Sequence, residues 1–216
     1  VYYEGEYQRT YTGWIDSHGD VIISSYDHSS GQTESRVLEN NYQVDDHDNP
    51  ALLFRPDGRL MVFFTKHGGD NPTLLFTMKE PEDLSAWKRQ ELFLNDKEFY
   101  PGLNSTNTYV NPVMLSEEDN RIYLFWRGMD NKPNYSFSDD LGETWSKGRI
   151  LINPDPLYPM RRPYLKVSSN GRDRIWFAFT DGHPRKEPDN SIYAMYYESG
   201  KLHKVTGETI RELGNE

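Results

Sequence analysis

The apolar positions of the chain are concentrated in short runs rich in aromatic side chains. Three runs of five residues stand out, at 60–64, 122–126 and 175–179, and each follows a polar turn that ends in Arg. Such runs, bounded by turn residues, are typical of strands. No long stretch shows the periodicity of an amphipathic helix, and at most one helical turn is expected, within 80–87. The pattern therefore predicts an all-β protein.

A five-residue segment that ends in Pro, here called the repeat phrase, precedes each run, and an apolar stretch lies between the two. Its three copies lie at 46–50, 108–112 and 159–163, so the final prolines are 62 (112 − 50) and 51 (163 − 112) residues apart. A repeat near fifty residues that is built from short strands predicts a β-propeller. Equivalent positions of such repeats lie at equivalent places around the axis. His47 and Tyr109, each two residues before an Asn-Pro pair, are therefore expected to face a common centre.

Residues 1–216 are interpreted as a single propeller region with about four visible blades. The first is a pair of strands around a Gly-containing turn, and the others follow along the chain: 10–27, 49–87, 111–145 and 163–197. A propeller removes free sheet edges by closing on itself, and four irregularly spaced blades would be unusual. We therefore expect an incomplete part of a larger propeller, with further blades on the C-terminal side. The start at Val1 also indicates a processed or truncated piece.

The composition limits the kinds of molecule that the protein is expected to bind. The net charge is −10 and no basic stripe is present, which argues against nucleic acid. The chain has no cysteine, hence no disulfide or thiolate site, and no apolar run long enough to span a membrane. Two local basic pairs, Arg161-Arg162 and Arg185-Lys186, are candidates for a cationic pocket, with a solvated surface as the alternative.

The segment at 138–145 reads Ser-Asp-Asp-Leu-Gly-Glu-Thr-Trp and resembles the Asp-box of sialidase-like propellers. Ser138 belongs to the motif, and Asp140 is expected to accept backbone N–H bonds within a turn. Gly142 permits a positive φ, and Trp145 packs beneath the turn. The motif predicts a structural role, away from any active face.

Four side chains are singled out as candidate catalytic groups: His47, His67, Tyr109 and Arg127. Pro-led strands and the ends of the aromatic runs should place them at one end of the propeller. Together they suit β-elimination from a uronic acid, in which a cation neutralises the carboxylate while an acid–base pair moves two protons. Each has a plainer alternative: a loop histidine for His47 and His67, a packing residue for Tyr109, and a partner of a structural Asp for Arg127.

A family resemblance supports this interpretation. Asp-His-Asp-Asn-Pro at 46–50, Thr-Lys-His-Gly at 65–68, Tyr-Val-Asn-Pro at 109–112 and Phe-Trp-Arg-Gly at 125–128 resemble the BNR-repeat propeller polysaccharide lyases, and seven-bladed ulvan lyases above all. The segments at 161–167 and 180–185 are similar too. The resemblance implies cleavage of a uronate–rhamnose-3-sulfate polymer. It matches His47 and Tyr109 to the acid–base pair, His67 to a second active-site histidine and Arg127 to the carboxylate neutraliser.

The same reading suggests further contacts and a location. Arg162 and Tyr164 are candidates for binding a sulfate or a sugar face. Asn49 and Asn111 are candidates for sugar hydroxyls, although capping a turn is the stronger interpretation. His183 is a candidate for the same face, although a turn histidine is the stronger interpretation. A secreted or periplasmic location follows from the resemblance, whereas the oligomeric state stays open.

No cofactor is expected to be required. Asp45, Asp46 and Asp48 offer oxygen ligands of the kind that calcium prefers, but the spacing matches no EF-hand, so a solvated acidic loop is predicted and a structural calcium or zinc ion stays open. Two rival functions remain. A sialidase-like glycoside hydrolase needs an Arg cluster and a Tyr–Glu pair or two opposed carboxylates; the other rival is a non-catalytic propeller that binds glycans.

Overall fold

The computed structural model describes residues 1–153, 161–183, 185–187 and 189–214. Within these ranges the chain forms seventeen strands and two short 3₁₀ helices, Ser116–Glu118 and Met129–Asn131. None of the described helices has the length and apolar character needed to cross a membrane. The predicted all-β class is confirmed.

The described chain falls into two compact units. The first comprises Val1–Phe93 and Asn107–Pro112. It carries two antiparallel four-stranded sheets whose strands lie in chain order. They are β1 (Tyr2–Tyr3), β2 (Arg9–Ile15), β3 (Val21–Asp27) and β4 (Thr33–Glu39), then β5 (Ala51–Phe54), β6 (Leu60–Phe64), β7 (Thr73–Met78) and β8 (Trp87–Leu92).

The second unit comprises Leu94–Thr106 and the chain from Val113 onward. Its strands also follow chain order within their sheets, one of four strands and one of five. Strand β9 begins in the segment that belongs to the first unit. The strands are β9 (Thr108–Leu115), β10 (Arg121–Arg127), β11 (Pro133–Ser138) and β12 (Arg149–Ile150), then β13 (Leu165–Ser169), β14 (Arg174–Thr180), β15 (Ile192–Glu198), β16 (Lys201–Lys204) and β17 (Thr209–Glu212).

The three aromatic runs of the sequence are second strands of their sheets. All five residues of β6 are buried, which explains its unbroken apolar pattern. In β14, Ile175 and Phe177 are buried whereas Trp176 is 41% exposed, so this strand alternates between a core face and an open face. Burial of one such side chain contributes about 1.5–3 kcal/mol.

Each unit has its own apolar core. In the first, Tyr11 and Ile23 of one sheet pack with Val62, Phe64 and Phe76 of the other. In the second, the core residues of the two sheets include Val113, Tyr123, Phe125, Phe177 and Tyr197. The strands therefore present one face inward by the two-residue period of a pleated sheet.

The expected helical turn within 80–87 was wrong. The segment forms bends and turns, and Glu82 has a left-handed backbone with φ 57°. The Glu82 carboxylate is buried and accepts the backbone N–H of Glu6 at 2.7 Å and that of Tyr7 at 3.3 Å. This long-range contact stabilises an irregular loop in place of a helical turn.

Candidate active site

The hairpin of β5 and β6 brings two histidines to the same end of a sheet. Ala51, the first residue of β5, pairs with Phe63 near the end of β6. His47 lies shortly before β5 and His67 shortly after β6, so both project from this end. Their imidazole rings stack with centroids 3.9 Å apart and an angle of 15° between the ring planes.

The carboxylate of Asp45 contacts both rings. Its Oδ1 lies 2.5 Å from Nδ1 of His47, and its Oδ2 lies 2.8 Å from Nδ1 of His67. The backbone N–H of His47 also donates to Oδ1 at 2.9 Å, while Oδ1 of Asp46 lies 2.8 Å from Nδ1 of His47. Partial burial opposes ionisation of Asp45, but the hydrogen bonds from His47 and His67 outweigh it and hold the pKa of this carboxyl well below its usual range.

This contact determines which ring nitrogens carry protons. An ionised carboxylate only accepts hydrogen bonds, so Nδ1 of each histidine is the donor. In a neutral imidazole the lone pair then resides on Nε2. The side chains of His47 and His67 are 28% and 34% exposed, so a ligand can reach them. The pair can therefore supply a base.

Tyr109 lies beside the histidine pair. Its ring centroid is 5.1 Å from that of His47. Its backbone is left-handed, with φ 60°, which is costly for a residue with a bulky side chain. The side-chain amide of Asn111 donates to the backbone oxygen of Tyr109 at 2.7 Å and supports this geometry. Within this segment the side-chain amide of Asn107 also donates to the backbone oxygen of Asn71, in the loop after β6.

The acidic loop at residues 45–48 differs from the solvated loop that the sequence predicted. Only Asp46 is solvated, with 92% of its side chain exposed. Asp45 is held by both histidines, and Asp48 is 1% exposed with neither carboxylate oxygen hydrogen-bonded within the described residues. Burial, and then the negative charge of Asp45, raise the pKa of Asp48 to about 6. The solvated-loop interpretation was wrong for Asp45 and Asp48, because these two side chains turn inward while that of Asp46 faces solvent.

The two candidate asparagines bond to nearby backbone. Asn49 donates its side-chain amide to the backbone oxygen of Asp46 at 3.0 Å, and Asn111 bonds to Tyr109 as described. Both contacts span two or three residues, which is the pattern of turn-stabilising asparagine side chains.

The remaining candidates lie in the second unit and form a group of their own. The guanidinium of Arg127 lies 5.8 Å from the ring centroid of Tyr164. The ring of Tyr164 meets that of His183 edge-on, with centroids 5.6 Å apart. Nδ1 of His183 accepts the backbone N–H of Arg185 at 3.1 Å, so its Nε2 carries the proton when the ring is neutral.

Arg162 is half-buried before β13. Its neighbour Arg161 lies 3.5 Å from the carboxylates of both Asp181 and Glu187, so its charge is balanced by protein groups. Pro159 and Met160 of the third repeat copy, and Pro184 within 180–185, lie outside the described residues.

The Asp-box-like segment after β11 bonds to itself. Oγ of Ser138 donates to Oδ1 of Asp140 at 2.8 Å, and the backbone N–H of Thr144 donates to the same oxygen at 2.8 Å. Gly142 has φ 90°, and Nε1 of Trp145 donates to its backbone oxygen at 3.2 Å. Slight burial opposes ionisation, but the bonds from Thr144 prevail and lower the pKa of Asp140.

Comparison with known proteins places the chain among repeat proteins. A family model described as a BNR repeat-containing family member matches residues 9–215. A curated relative named Ulvan Lyase-PL25, from Pseudoalteromonas sp. (strain PLSV), is 26% identical over 161 residues, which cover 63% of this chain and 30% of that protein.

Two solved structures share the fold. A polysaccharide lyase described as a PL25 ulvan lyase aligns with a TM-score of 0.74 at 18% identity, over 97% of this chain and 54% of its own. A PL25 ulvan lyase bound to -[GlcA(1-4)Rha3S]- aligns with a TM-score of 0.72 at 19% identity, with the same coverage. The chain thus spans about half the length of these lyases. The likeness confirms the prediction of propeller-type blades.

Proposed function

The chain belongs to the BNR repeat-containing family, and from this premise we propose that it acts as a polysaccharide lyase on a sulfated, uronic-acid-containing polymer of the ulvan type. The observation that carries the proposal is the Asp45–His47–His67 cluster with Tyr109 beside it. The relative's description as an ulvan lyase, and the bound uronate–rhamnose sulfate of the solved lyase, supply the substrate class.

The proposed reaction needs one proton acceptor and one donor. Nε2 of His47 takes the C5 proton of the uronate, because Asp45 keeps the other ring nitrogen protonated. The C–H electrons form the C4–C5 double bond as the C4–O bond breaks. The phenol of Tyr109 gives its proton to the departing glycosidic oxygen. Proton exchange with solvent then resets the two residues for the next turnover.

The substrate carboxylate must be neutralised, since the C5 proton is barely acidic beside an anion. The sequence resemblance supplies Arg127 for this role, as a guanidinium suited to bidentate binding of a carboxylate. His67, whose ring stacks on that of His47, supports the base by fixing its orientation. Arg162 and Tyr164 remain proposed contacts to sulfate or sugar. Because the polymer is too large to enter a cell, action outside the cytoplasm is part of the proposal.

The reaction type can be read from the products. Incubation of the protein with ulvan should yield oligosaccharides that end in an unsaturated uronate, lighter by one water than hydrolytic products and absorbing in the ultraviolet. Mass spectrometry of the products measures the mass difference, and a spectrophotometer measures the absorbance of the conjugated double bond. Saturated ends would instead indicate the hydrolase, and retention of intact polymer would indicate a binding module.

Asp45 is expected to act as a positioning residue. Asp45→Asn should lower kcat by about 100-fold, with a smaller change in KM, because an amide can donate to Nδ1 and thereby move the imidazole proton to Nε2. Nitrogen NMR of the imidazoles should show this change of tautomer.

The matched control is Asp16→Asn. Asp16 accepts the backbone N–H of His18 at 2.8 Å, with the same Asp-x-His spacing, yet it contacts no second histidine among the described residues. It should leave kcat within about twofold. Equal kcat for the two variants, or an unaltered tautomer in Asp45→Asn, would refute the positioning role.

A further inference from the structure

The loop after β6, residues 65–72, carries His67 on a backbone that cannot fix its own shape. Gly68 and Gly69 follow His67 directly, and both have a left-handed backbone, with φ 73° and 72°. Glycine reaches many other conformations at little cost, so two consecutive glycines leave a loop free to change shape. The position of His67 therefore depends on contacts that other side chains make with the loop.

Side-chain amides hold this loop on both sides of the glycines. The Gln43 side-chain oxygen accepts the backbone N–H of His67 at 2.9 Å. The Asn71 amide donates to the backbone oxygen of Gly68 at 2.8 Å, and the Asn107 amide donates to the backbone oxygen of Asn71. Asn107 is only 2% exposed, and a buried amide is costly to leave unpaired, so its bond to the loop is strongly favoured.

Asn71 and Asn107 thus form a two-bond link between the loop and the segment that carries Tyr109. Asn107 lies two residues before Tyr109, and both belong to the first compact unit together with the loop. At the other end of the link, the ring of His67 stacks on that of His47 at 3.9 Å between centroids. The ring of Tyr109 lies 5.1 Å from that of His47. The link therefore joins the histidine pair to the segment of the neighbouring phenol.

We infer that Asn71 and Asn107 are positioning residues, which fix the histidine pair relative to Tyr109 through this link. An acid and a base that act on one sugar ring need a closely defined separation, since a displacement of about 1 Å can lower a rate by about 10²-fold. The kinetic part of this inference rests on the proposed lyase function, whereas the effect of the link on the geometry of the rings does not.

The kinetic test uses Asn71→Ala, Asn107→Asp and the double variant. Asn71→Ala removes the donor to Gly68, and Asn107→Asp keeps the shape of the side chain but replaces the donor by a carboxylate oxygen. Each should lower kcat for ulvan by about tenfold and leave KM within about twofold. Because the two bonds act in series, the double variant should lose no more than the worse single variant. Losses that multiply, or a change confined to KM, would overturn the positioning role.

The matched control is Asn170→Ala. The Asn170 amide donates to the carboxylate of Asp173 at 2.6 Å in the turn between β13 and β14, so it also closes a glycine-containing turn. It should leave kcat within about twofold. Circular dichroism and Tm establish which variants fold. Since Asn107 is buried and Asn71 only half-buried, Asn71→Ala decides the outcome if the Asn107 variants do not fold; a wild-type kcat in folded Asn71→Ala would contradict the inference.

The geometry of the rings is measured without substrate. In the full chain labelled at histidine and tyrosine, nuclear Overhauser contacts between the rings of His47 and Tyr109 should be present in the wild type and in Asn170→Ala. They should weaken in Asn71→Ala and in Asn107→Asp. Unchanged contacts in these folded variants would overturn the link, whatever their rates. If the contacts weaken as expected but the wild type never cleaves ulvan, the proposed function is refuted and the link stands.

Discussion

Replacement of His47 by alanine is expected to lower kcat for ulvan cleavage by about 10²–10⁴-fold, the usual contribution of a general acid or base. His47 is the histidine nearer to Tyr109, at 5.1 Å between ring centroids. Its Nδ1 is held by Asp45 at 2.5 Å, so Nε2 is left to accept a proton. KM should change little, because the lost interaction is made only in the transition state. Initial rates of ultraviolet absorbance from the unsaturated product measure both constants.

His18→Ala is the matched control for this variant. Its backbone N–H bonds to Asp16 much as that of His47 bonds to Asp45, but its side chain is 79% exposed and no ring of the described part of the chain stacks on it. It should retain the wild-type rate. Circular dichroism should show both variants folded. A folded His47→Ala protein with a wild-type kcat would contradict the assignment of the base.

Tyr109→Phe should reduce kcat to a similar extent, about 10²–10⁴-fold, through loss of one hydroxyl. Phenylalanine keeps the ring that lies against His47 and the left-handed backbone at this position, so binding should be preserved. Without the phenol the leaving glycosidic oxygen must depart as an unprotonated alkoxide. The loss should shrink for an artificial substrate with a good leaving group, which needs no protonation. Comparison of kcat for ulvan and for such a substrate measures this directly.

Tyr26→Phe serves as the control for Tyr109→Phe. Tyr26 also lies beside a histidine, with its ring centroid 5.0 Å from that of His28, but it is 44% exposed and distant in sequence from the repeat phrase. Its hydroxyl should be dispensable. If Tyr109→Phe loses equal activity on both kinds of substrate, Tyr109 is not the proton donor.

The strands of this protein are readable from local pattern, whereas one irregular loop is not. The runs at 60–64, 122–126 and 175–179 are clear because a pleated strand imposes its period on neighbouring residues. The wrong helical turn near Glu82 has a different origin. Its conformation depends on hydrogen bonds to Glu6 and Tyr7, some 75 residues away in the chain (82 − 7), and local sequence carries no record of such a contact.

The residues of the candidate site were likewise predictable only where a local pattern marks them. The repeat phrase identifies His47 and Tyr109, and the structure brings their rings together. The sequence interpretation missed Asp45, because its importance comes from His67, which is 22 positions later. The signal available was the Asp-x-His spacing. The same spacing occurs at Asp16 and His18, where the aspartate contacts no second histidine among the described residues. Burial of Asp48 was missed as well, because a run of acidic residues predicts a loop in which every side chain is solvated.

The left-handed backbone of Tyr109 lowers the stability of the fold, whereas its phenol is needed for the proposed reaction. Glycine or asparagine would relax this position by about 1 kcal/mol, and neither has a phenol to donate. Under the proposed lyase function, selection on the reaction would retain tyrosine at this position. In a lineage that no longer encounters the polymer, substitutions at this position would raise stability and abolish activity. Engineering for heat resistance alone would favour the same substitutions.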